Sequence, residues 1–465
     1  MLGCGYLGIT HAACMASLGF EVLGLDTDPV RVAQLGAGRL PIYEPGLAEL
    51  LRAGLTAGRL RFTTSYPEAA AFGEVHFICT GTPQQPGSDR ADLSQVLGCV
   101  RALAPLLRRP CLVVGKSTVP VGTARALAGE LAARCPGAEL AWNPEFLREG
   151  TAVADTLAPS RIVAGVTSAA AEQLLRRVYA APLADGTPFY VTGLETAELA
   201  KLAANSFLAT KISFINAMAE VCEAAGGDVR DLAQILGADP RIGPAFLRAG
   251  LGFGGGCLPK DIRAFIARAA ELGAGQAVAF LREVDAINLR RRTWAVSAAC
   301  RAAGGTVAGQ AVCVLGAAFK PGSDDIRDSP ALDVARILHG LGAVVTVYDP
   351  AATASAQAEF PDLRYAVSPL EAARGAAVVL LLTEWPEFTA LDPAGLLAAA
   401  APGAVVIDGR HALDQASWQA AGWNYQAPGV TAPVVRNTEV RNTEVRDTEV
   451  RDTEVRDAEV RDPAL

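Results

Sequence analysis

Cys257 closes the run Gly252-Phe253-Gly254-Gly255-Gly256, and Lys260 and Asp261 follow three and four residues later. Glycines let a backbone wrap closely around a ligand. A thiol presented there beside cations can ionise to a thiolate, the form that attacks carbon. A structural cysteine needs neither the glycines nor the charges, although the loop taken alone also fits one. The other nine of the ten cysteines lie mostly in apolar runs and read as small core residues. They show no CxxC pairs and no metal-ligand spacing, so no metal site is expected.

Five further constellations carry chemistry. Gly3-Cys4-Gly5-Tyr6-Leu7-Gly8 fits G-x-G-x-x-G and opens an apolar helical stretch. Asp26 follows at the end of a strand, where a carboxylate binds the ribose hydroxyls of NAD and disfavours the extra phosphate of NADP. Lys116-Ser117-Thr118-Val119-Pro120-Val121-Gly122 and Thr80-Gly81-Thr82-Pro83 also end strands. Their hydroxyls suit the nicotinamide end or a held water, or else an ordinary helix N-cap. In Asn143-Pro144-Glu145-Phe146-Leu147-Arg148-Glu149-Gly150, Glu145 and Glu149 are four apart, which predicts two carboxylates on one helix face. A solvated helix start reads the same way. Lys201 and Asn205, also four apart, interrupt an apolar surface and offer an ammonium and an amide to one point, as an oxyanion requires. The bland alternative is a snorkelling lysine. Lys320 and Arg327 in Phe319-Lys320-Pro321-Gly322-Ser323-Asp324-Asp325-Ile326-Arg327, with Arg410 after Asp408-Gly409, are cations suited to phosphate.

These residues need elements to position them. Glu21–Asp26, Val75–Thr80, Cys111–Ser117 and Leu140–Asn143 read as buried strands alternating with helices. Glu195–Gly226 has apolar residues at helical spacing and reads as one long helix. Strands return at Ala311–Gly316, Ala343–Asp349, Ala377–Thr383 and Ala404–Asp408. The expected fold class is α/β: two Rossmann-like, doubly wound parallel sheets joined by a long central helix. The expected domains are 1–194, 195–300 and 301–433. Residues 434–465 repeat VRNTE and then VRDTE, with no apolar face to bury, and read as a disordered tail.

Composition sets the frame. The 465 residues are 51% hydrophobic and 19% charged, as in a globular protein with large cores. No apolar run reaches the length that spans a bilayer, and the start lacks a basic leader segment. A net charge of −8 argues against nucleic acid as a partner. A reduced, cytoplasmic enzyme is expected.

Together the motifs GCGYLG, STVPVGT, NPEFLREG, Lys201–Asn205, GFGGGCLPKD and FKPGSDDIRDSP closely resemble the UDP-glucose 6-dehydrogenase family, within the wider UDP-glucose/GDP-mannose dehydrogenases. The resemblance covers roughly residues 1–430. It implies oxidation of the sugar C6 alcohol to a carboxylate with NAD as cofactor. Cys257 would attack the C6 aldehyde, Lys201 and Asn205 would stabilise oxyanions, Glu145 would act as base, and Thr118 and Asp261 would hold a water. Gly3, Gly5, Tyr6, Leu7, Gly8, Asp26, Arg31, Thr82, Ser117, Glu149 and Arg327 would contact NAD. Phe146, Leu147, Lys320, Arg410 and the loop Leu251, Gly252, Phe253, Gly254 and Gly255 would hold UDP-glucose. Arg241 would reach the substrate of the partner subunit, in a homodimer built on the central helix.

Three departures stand out. Gly256 replaces a residue that has a side chain in many relatives, and His411 replaces the usual asparagine after Asp408-Gly409-Arg410. Only Met1 and Leu2 precede the fingerprint, so most of the first strand is expected to lie upstream, with the strands beside it short of ladder partners. GDP-mannose and UDP-N-acetylmannosamine remain rival substrates. A non-catalytic NAD-binding subunit is the reading from another class.

Overall fold

The computed structural model describes residues 1–430; the repeat segment from 434 lies outside the described residues. The N-terminal sheet contains β1 (Val22–Leu25), β2 (Leu60–Thr63), β3 (Val75–Ile78), β4 (Cys111–Gly115), β5 (Ala138–Trp142), β6 (Ile162–Gly165) and β7 (Phe189–Thr192). The C-terminal sheet contains β8 (Ala311–Leu315), β9 (Val344–Tyr348), β10 (Arg364–Tyr365), β11 (Val378–Leu381), β12 (Val405–Asp408) and β13 (Asn424–Gln426). Strands such as β4 and β11 are apolar and buried along their whole length, because helices cover both faces of the sheet.

The C-terminal sheet is parallel throughout, in the order β10-β9-β8-β11-β12-β13. The N-terminal sheet repeats that winding through Leu2, which bridges both Leu25 and Ile78 and so stands between β1 and β3. Met1 and Leu2 supply ladder bonds to both neighbours over this short length. Leu2 N–H donates to Phe77 at 2.7 Å, Cys79 N–H to Leu2 at 2.8 Å, and Leu25 N–H to Met1 at 2.7 Å. The N-terminal sheet departs from a purely parallel one at its far edge. β5 meets β6 antiparallel through Trp142 and Gly165, and β7 follows β6. The β5–β6 connection carries only the six-residue helix Ala152–Leu157, in place of the longer helical crossover usual between parallel strands.

All eight strands expected from the sequence form; seven are one or two residues shorter at an end, and the one expected at Leu140–Asn143 starts two residues earlier, at Ala138, and ends at Trp142. Short β2, β6, β7, β10 and β13 were not foreseen. The central helix runs Leu194–Ala225, about 48 Å at the usual rise, and ends at Gly226 in the left-handed region. One face is buried and includes Glu198, Lys201 and Asn205, whereas Leu199, Phe207, Phe214 and Val221 are exposed. The helices Leu258–Glu271 and Phe280–Ala302 pack against it. Among the described residues, no helix is long and apolar enough to cross a membrane.

Candidate active site

The fingerprint folds as its glycines dictate. A Cβ on Gly8 would meet the Gly3 carbonyl oxygen at 1.9 Å, whereas a Cβ on Gly5 would meet nothing within 4 Å. Helix Tyr6–Ser17 is therefore packed tightly beneath the turn, and open room lies above its N-terminus. No side chain caps that end, so its N–H groups and dipole suit a pyrophosphate. Asp26 ends β1, accepts from Cys4 N–H at 2.9 Å and Asp28 N–H at 3.0 Å, and pairs with Arg31 at 3.2 Å. Leu7 is half-buried against the core beside β3. Tyr6 donates to buried Glu44, which also accepts from Gly150 and Ala152 N–H at 2.7 Å each. These residues fit NAD: a carboxylate placed for the ribose, and a phosphate cradle without side chains.

The strand ends bring the hydroxyl loops together. Ser117 donates to the Thr80 carbonyl at 2.6 Å, and Thr82 donates to the Thr118 carbonyl at 2.7 Å. Cys257 sits at the N-terminus of helix Leu258–Glu271, an exposed residue in a densely packed neighbourhood, and Lys260 and Asp261 share its turn. Asp261 is buried and accepts from Lys260 at 2.6 Å and from the Asn205 amide at 2.7 Å. Lys201, equally buried, pairs with Glu145 at 3.0 Å. A cavity of about 10 Å³ is lined by Thr82, Thr118, Lys260 and Asp261 among others. That is the room of a single water molecule.

The expected helix at 144–150 does not form; the segment is a loop. Its two carboxylates consequently point to different partners. Glu145 meets Lys201 and accepts from Leu147 N–H at 2.8 Å, whereas Glu149 accepts from Ser323 at 2.9 Å and faces Arg327 at 3.6 Å. Phe146 lies beneath Arg161 and Lys201, at 3.8 and 5.6 Å from its ring centre. Burial and Asp325 push the Glu149 carboxyl up to about 7, against the pull of Ser323, Arg327 and Lys320.

The glycine loop is framed by the C-terminal half. Phe253 exchanges hydrogen bonds with the Asn288 amide at 2.7 and 2.9 Å. A Cβ on Gly254 would meet the Asp328 carbonyl oxygen at 2.2 Å, and one on Gly256 the Arg327 guanidinium carbon at 2.3 Å. Gly256 thus gives Arg327 its place against the loop. Leu251 is fully buried. Arg410 donates to Leu382, Gly252 and Phe319 carbonyls at 2.8, 2.9 and 3.4 Å, tying the loop to the ends of the C-terminal sheet. Lys320 lies 5.5 Å from the Phe319 ring centre, and burial lowers its pKa. Arg241 stands apart on an exposed turn, paired with Asp239 at 2.6 Å.

Sequence comparison decides what this assembly is. The NAD binding domain of the UDP-glucose/GDP-mannose dehydrogenase family matches residues 1–182, its central domain 195–290 and its UDP binding domain 313–415. A UDP-glucose 6-dehydrogenase of Rhizobium meliloti is 41% identical over 84% of this chain and 90% of its own. The chain belongs to the UDP-glucose/GDP-mannose dehydrogenase family. It is an NAD-dependent oxidoreductase. Among solved structures, a UDP-glucose dehydrogenase from Pyrobaculum islandicum superposes with a TM-score of 0.85 at 39% identity, covering 92% of this chain and 97% of that one. A UDP-D-ManNAc dehydrogenase from Pyrococcus horikoshii gives 0.79 at 27%, covering 92% and 98%.

For a dehydrogenase of this family, the two sheets differ in a telling way. Asp349 ends β9 as Asp26 ends β1 and is likewise buried, but it accepts from Ala317 N–H, Ala318 N–H and the Trp385 indole at 2.8, 3.0 and 3.0 Å. The indole closes the place that Asp26 leaves for a ribose. Sequence reasoning missed Glu44 and Glu198, both buried acids holding backbone N–H groups. It quoted Lys116 and Asn143 without giving them a role. Lys116 donates to Asn143 at 2.9 Å and to Tyr179 at 3.1 Å, which locks the ends of β4 and β5 together. An acid within an apolar helical stretch, the kind of signal that exposed Lys201, marks Glu198 as well.

The thiol differs from the expectation of a cation-activated thiolate. Burial first, then Asp261 and Glu145, push Cys257 up to about 12, against the smaller pull of Lys201 and Lys260. Labelling of Cys257 by iodoacetamide should rise about tenfold per pH unit from about pH 7 to 9. Glu145→Gln removes a negative neighbour and should label several-fold faster, although it turns over more slowly. Labelling at or below the wild-type rate would contradict this electrostatic account; peptide mass spectrometry measures it.

Proposed function

We propose that the protein oxidises the C6 alcohol of UDP-glucose to the carboxylate of UDP-glucuronate in two NAD-dependent steps at one site, through a thiohemiacetal and a thioester on Cys257. The observation that carries the reading is the convergence of Cys257, Lys201, Asn205, Asp261 and Glu145 beside a cavity with room for one water. The relatives at 41% and 39% identity are named for UDP-glucose, and the one at 27% for UDP-D-ManNAc.

NAD, when bound, supplies the hydride acceptor for each oxidation. Gly3, Gly5, Tyr6, Leu7, Gly8, Asp26, Arg31, Thr82, Ser117, Glu149 and Arg327 hold it. The aldehyde formed first is attacked by the Cys257 sulfur. The thiol proton passes to Asp261, the carboxylate that raises its pKa most, which leaves Glu145 ionised, and the new oxyanion rests between Lys201 and the Asn205 amide. Loss of the second hydride leaves a thioester. Glu145 then takes a proton from a water held by Thr118 and Asp261, the water oxygen bonds C6, and the thiol departs. Remaining covalently bound explains how one site performs both oxidations without releasing the aldehyde. Phe146, Leu147, Lys320, Arg410 and the loop Leu251–Gly255 hold the UDP-sugar. The chain works as an NAD-binding domain (1–194), a helical dimerisation domain (195–300), a UDP-sugar domain (301–433) and a tail. The ten unpaired cysteines suit the reducing cytoplasm. A panel of nucleotide sugars tests the reading: NAD reduction should be fastest with UDP-glucose, and faster GDP-mannose or UDP-N-acetylmannosamine oxidation would overturn it.

Homodimerisation through the central helix is part of the proposal. Leu199, Phe207, Phe214 and Val221 recur about every two turns and form an exposed apolar stripe on the face away from Lys201. Exposed Arg241, paired with its neighbour Asp239, would exchange that partner for a partner subunit's substrate. Arg241→Ala should raise the KM for UDP-glucose at least tenfold and leave NAD affinity within a few-fold. Mixing Arg241→Ala with Cys257→Ala subunits should restore activity in hybrid dimers; hybrids that form but stay inactive would count against a role across the interface.

A further inference from the structure

Glu198, Lys201 and Asn205 lie three and four residues apart on the buried face of the central helix. Lys201 meets Glu145 and Asn205 meets Asp261, but Glu198 reaches elsewhere. Its carboxylate, 1% exposed, accepts from Gly122 N–H at 2.7 Å and from Ala124 N–H at 2.6 Å. Those N–H groups belong to the start of helix Thr123–Arg134, whose positive dipole end the carboxylate complements. Gly122 also closes the segment 117–122 that carries Thr118. The other end of that segment is fixed by the bonds of Ser117 to Thr80 and of Thr82 to Thr118. Arg268, on the helix that bears Cys257, adds a bond to the Val121 carbonyl at 2.8 Å. One carboxylate therefore joins the helix of the oxyanion pair to the far end of the hydroxyl loop.

We propose that Glu198 is a positioning residue that sets Thr118 in register with Lys201 and Asn205, and so governs the water-dependent step. This rests on the reading of Thr118 as a water-holding group. Burial and the nearby Glu195 push the Glu198 carboxyl up to about 7, against the pull of the two N–H bonds and of Arg268, while Arg125 pairs with Glu195 alongside. A solvated helix face would not hold a glutamate in such surroundings. A glutamine at 198 keeps the shape but turns an N–H₂ toward one of the two backbone donors.

The test is a double-mutant cycle on the full chain with UDP-glucose and NAD, read by steady-state kinetics and by the intact mass of the quenched protein. Glu198→Gln should lower kcat about 10- to 100-fold, with kcat/KM for both substrates within about threefold, because a displacement near 1 Å at a reacting group costs that much and a slower hydrolysis lowers KM along with kcat. The sugar adduct on Cys257 should accumulate, since only its hydrolysis has slowed. Thr118→Val should show the same accumulation, and the double variant should be no slower than Thr118→Val alone. Losses that multiply in the double variant would overturn the proposal, as would a slower Glu198→Gln with no adduct. Wild-type turnover by Thr118→Val would overturn the Thr118 assignment and the proposal with it. An adduct absent from every variant would instead overturn the covalent mechanism. If Glu198→Gln does not fold, Glu198→Asp, which keeps the charge but shortens the reach, should give a smaller loss of the same kind.

Discussion

Cys257→Ala is expected to lower UDP-glucuronate production by on the order of 10⁴-fold or more, while UDP-glucose and NAD bind within a few-fold of wild type. The size of the loss follows from the role proposed for the sulfur. Without it the second oxidation has no thiohemiacetal to act on, and removing a nucleophile rarely leaves more than the rate given by binding and oxyanion stabilisation. Binding survives because the loop before residue 257 is held by Asn288, Arg410 and the Arg327 carbonyl, none of which involves the thiol. Cys257→Ser should also fail to sustain turnover, since an alkoxide is hard to form there and an ester replaces the thioester. UDP-glucuronate formed by Cys257→Ala at near the wild-type rate would end the covalent account; product chromatography and equilibrium titrations measure the two halves of this result.

Lys201→Met should produce the second largest effect, with two separable parts. The ammonium and Glu145 are 3.0 Å apart, with side chains only 6% and 12% exposed. Burial lowers the lysine pKa, but the carboxylates of Glu145 and Asp261 help hold it above the ordinary value, so the group is charged at neutral pH. Methionine leaves Glu145 buried without its cation, at a cost of about 3–5 kcal/mol in stability. It also removes an oxyanion donor, worth about 10²–10³ in kcat. Lys201→Met/Glu145→Gln should regain most of the stability and none of the activity. Recovery of activity in the double variant would show that Lys201 serves only to neutralise Glu145; urea unfolding and initial rates separate the two parts.

The sequence made the long strands and the central helix legible, because runs such as Cys111–Gly115 are apolar throughout and the helix holds its period over 32 residues. It concealed β6, which turns antiparallel after a connection with little helix, and β10, only two residues long. The separate chemistries were legible too: glycine spacing in the fingerprint, a cysteine behind glycines, and a lysine interrupting apolar neighbours. How they meet was not. Two glutamates four apart predicted a shared helix face, yet Pro144 opens a loop, and Glu145 and Glu149 find opposite partners. Asp261 was expected to hold a water with Thr118, but its bond from Asn205, 56 residues away in the chain, was not foreseen. Such pairings depend on tertiary packing, which residue spacing does not encode.

The central claim is that one site carries a single sugar through both oxidations, and the ratio of NADH formed to UDP-glucose consumed tests it most directly. Limiting UDP-glucose with excess NAD, followed to completion by absorbance and by product chromatography, should give two NADH per UDP-glucuronate with no free aldehyde at any time. One NADH per sugar, or an aldehyde that builds up and can be trapped in solution, would contradict the account.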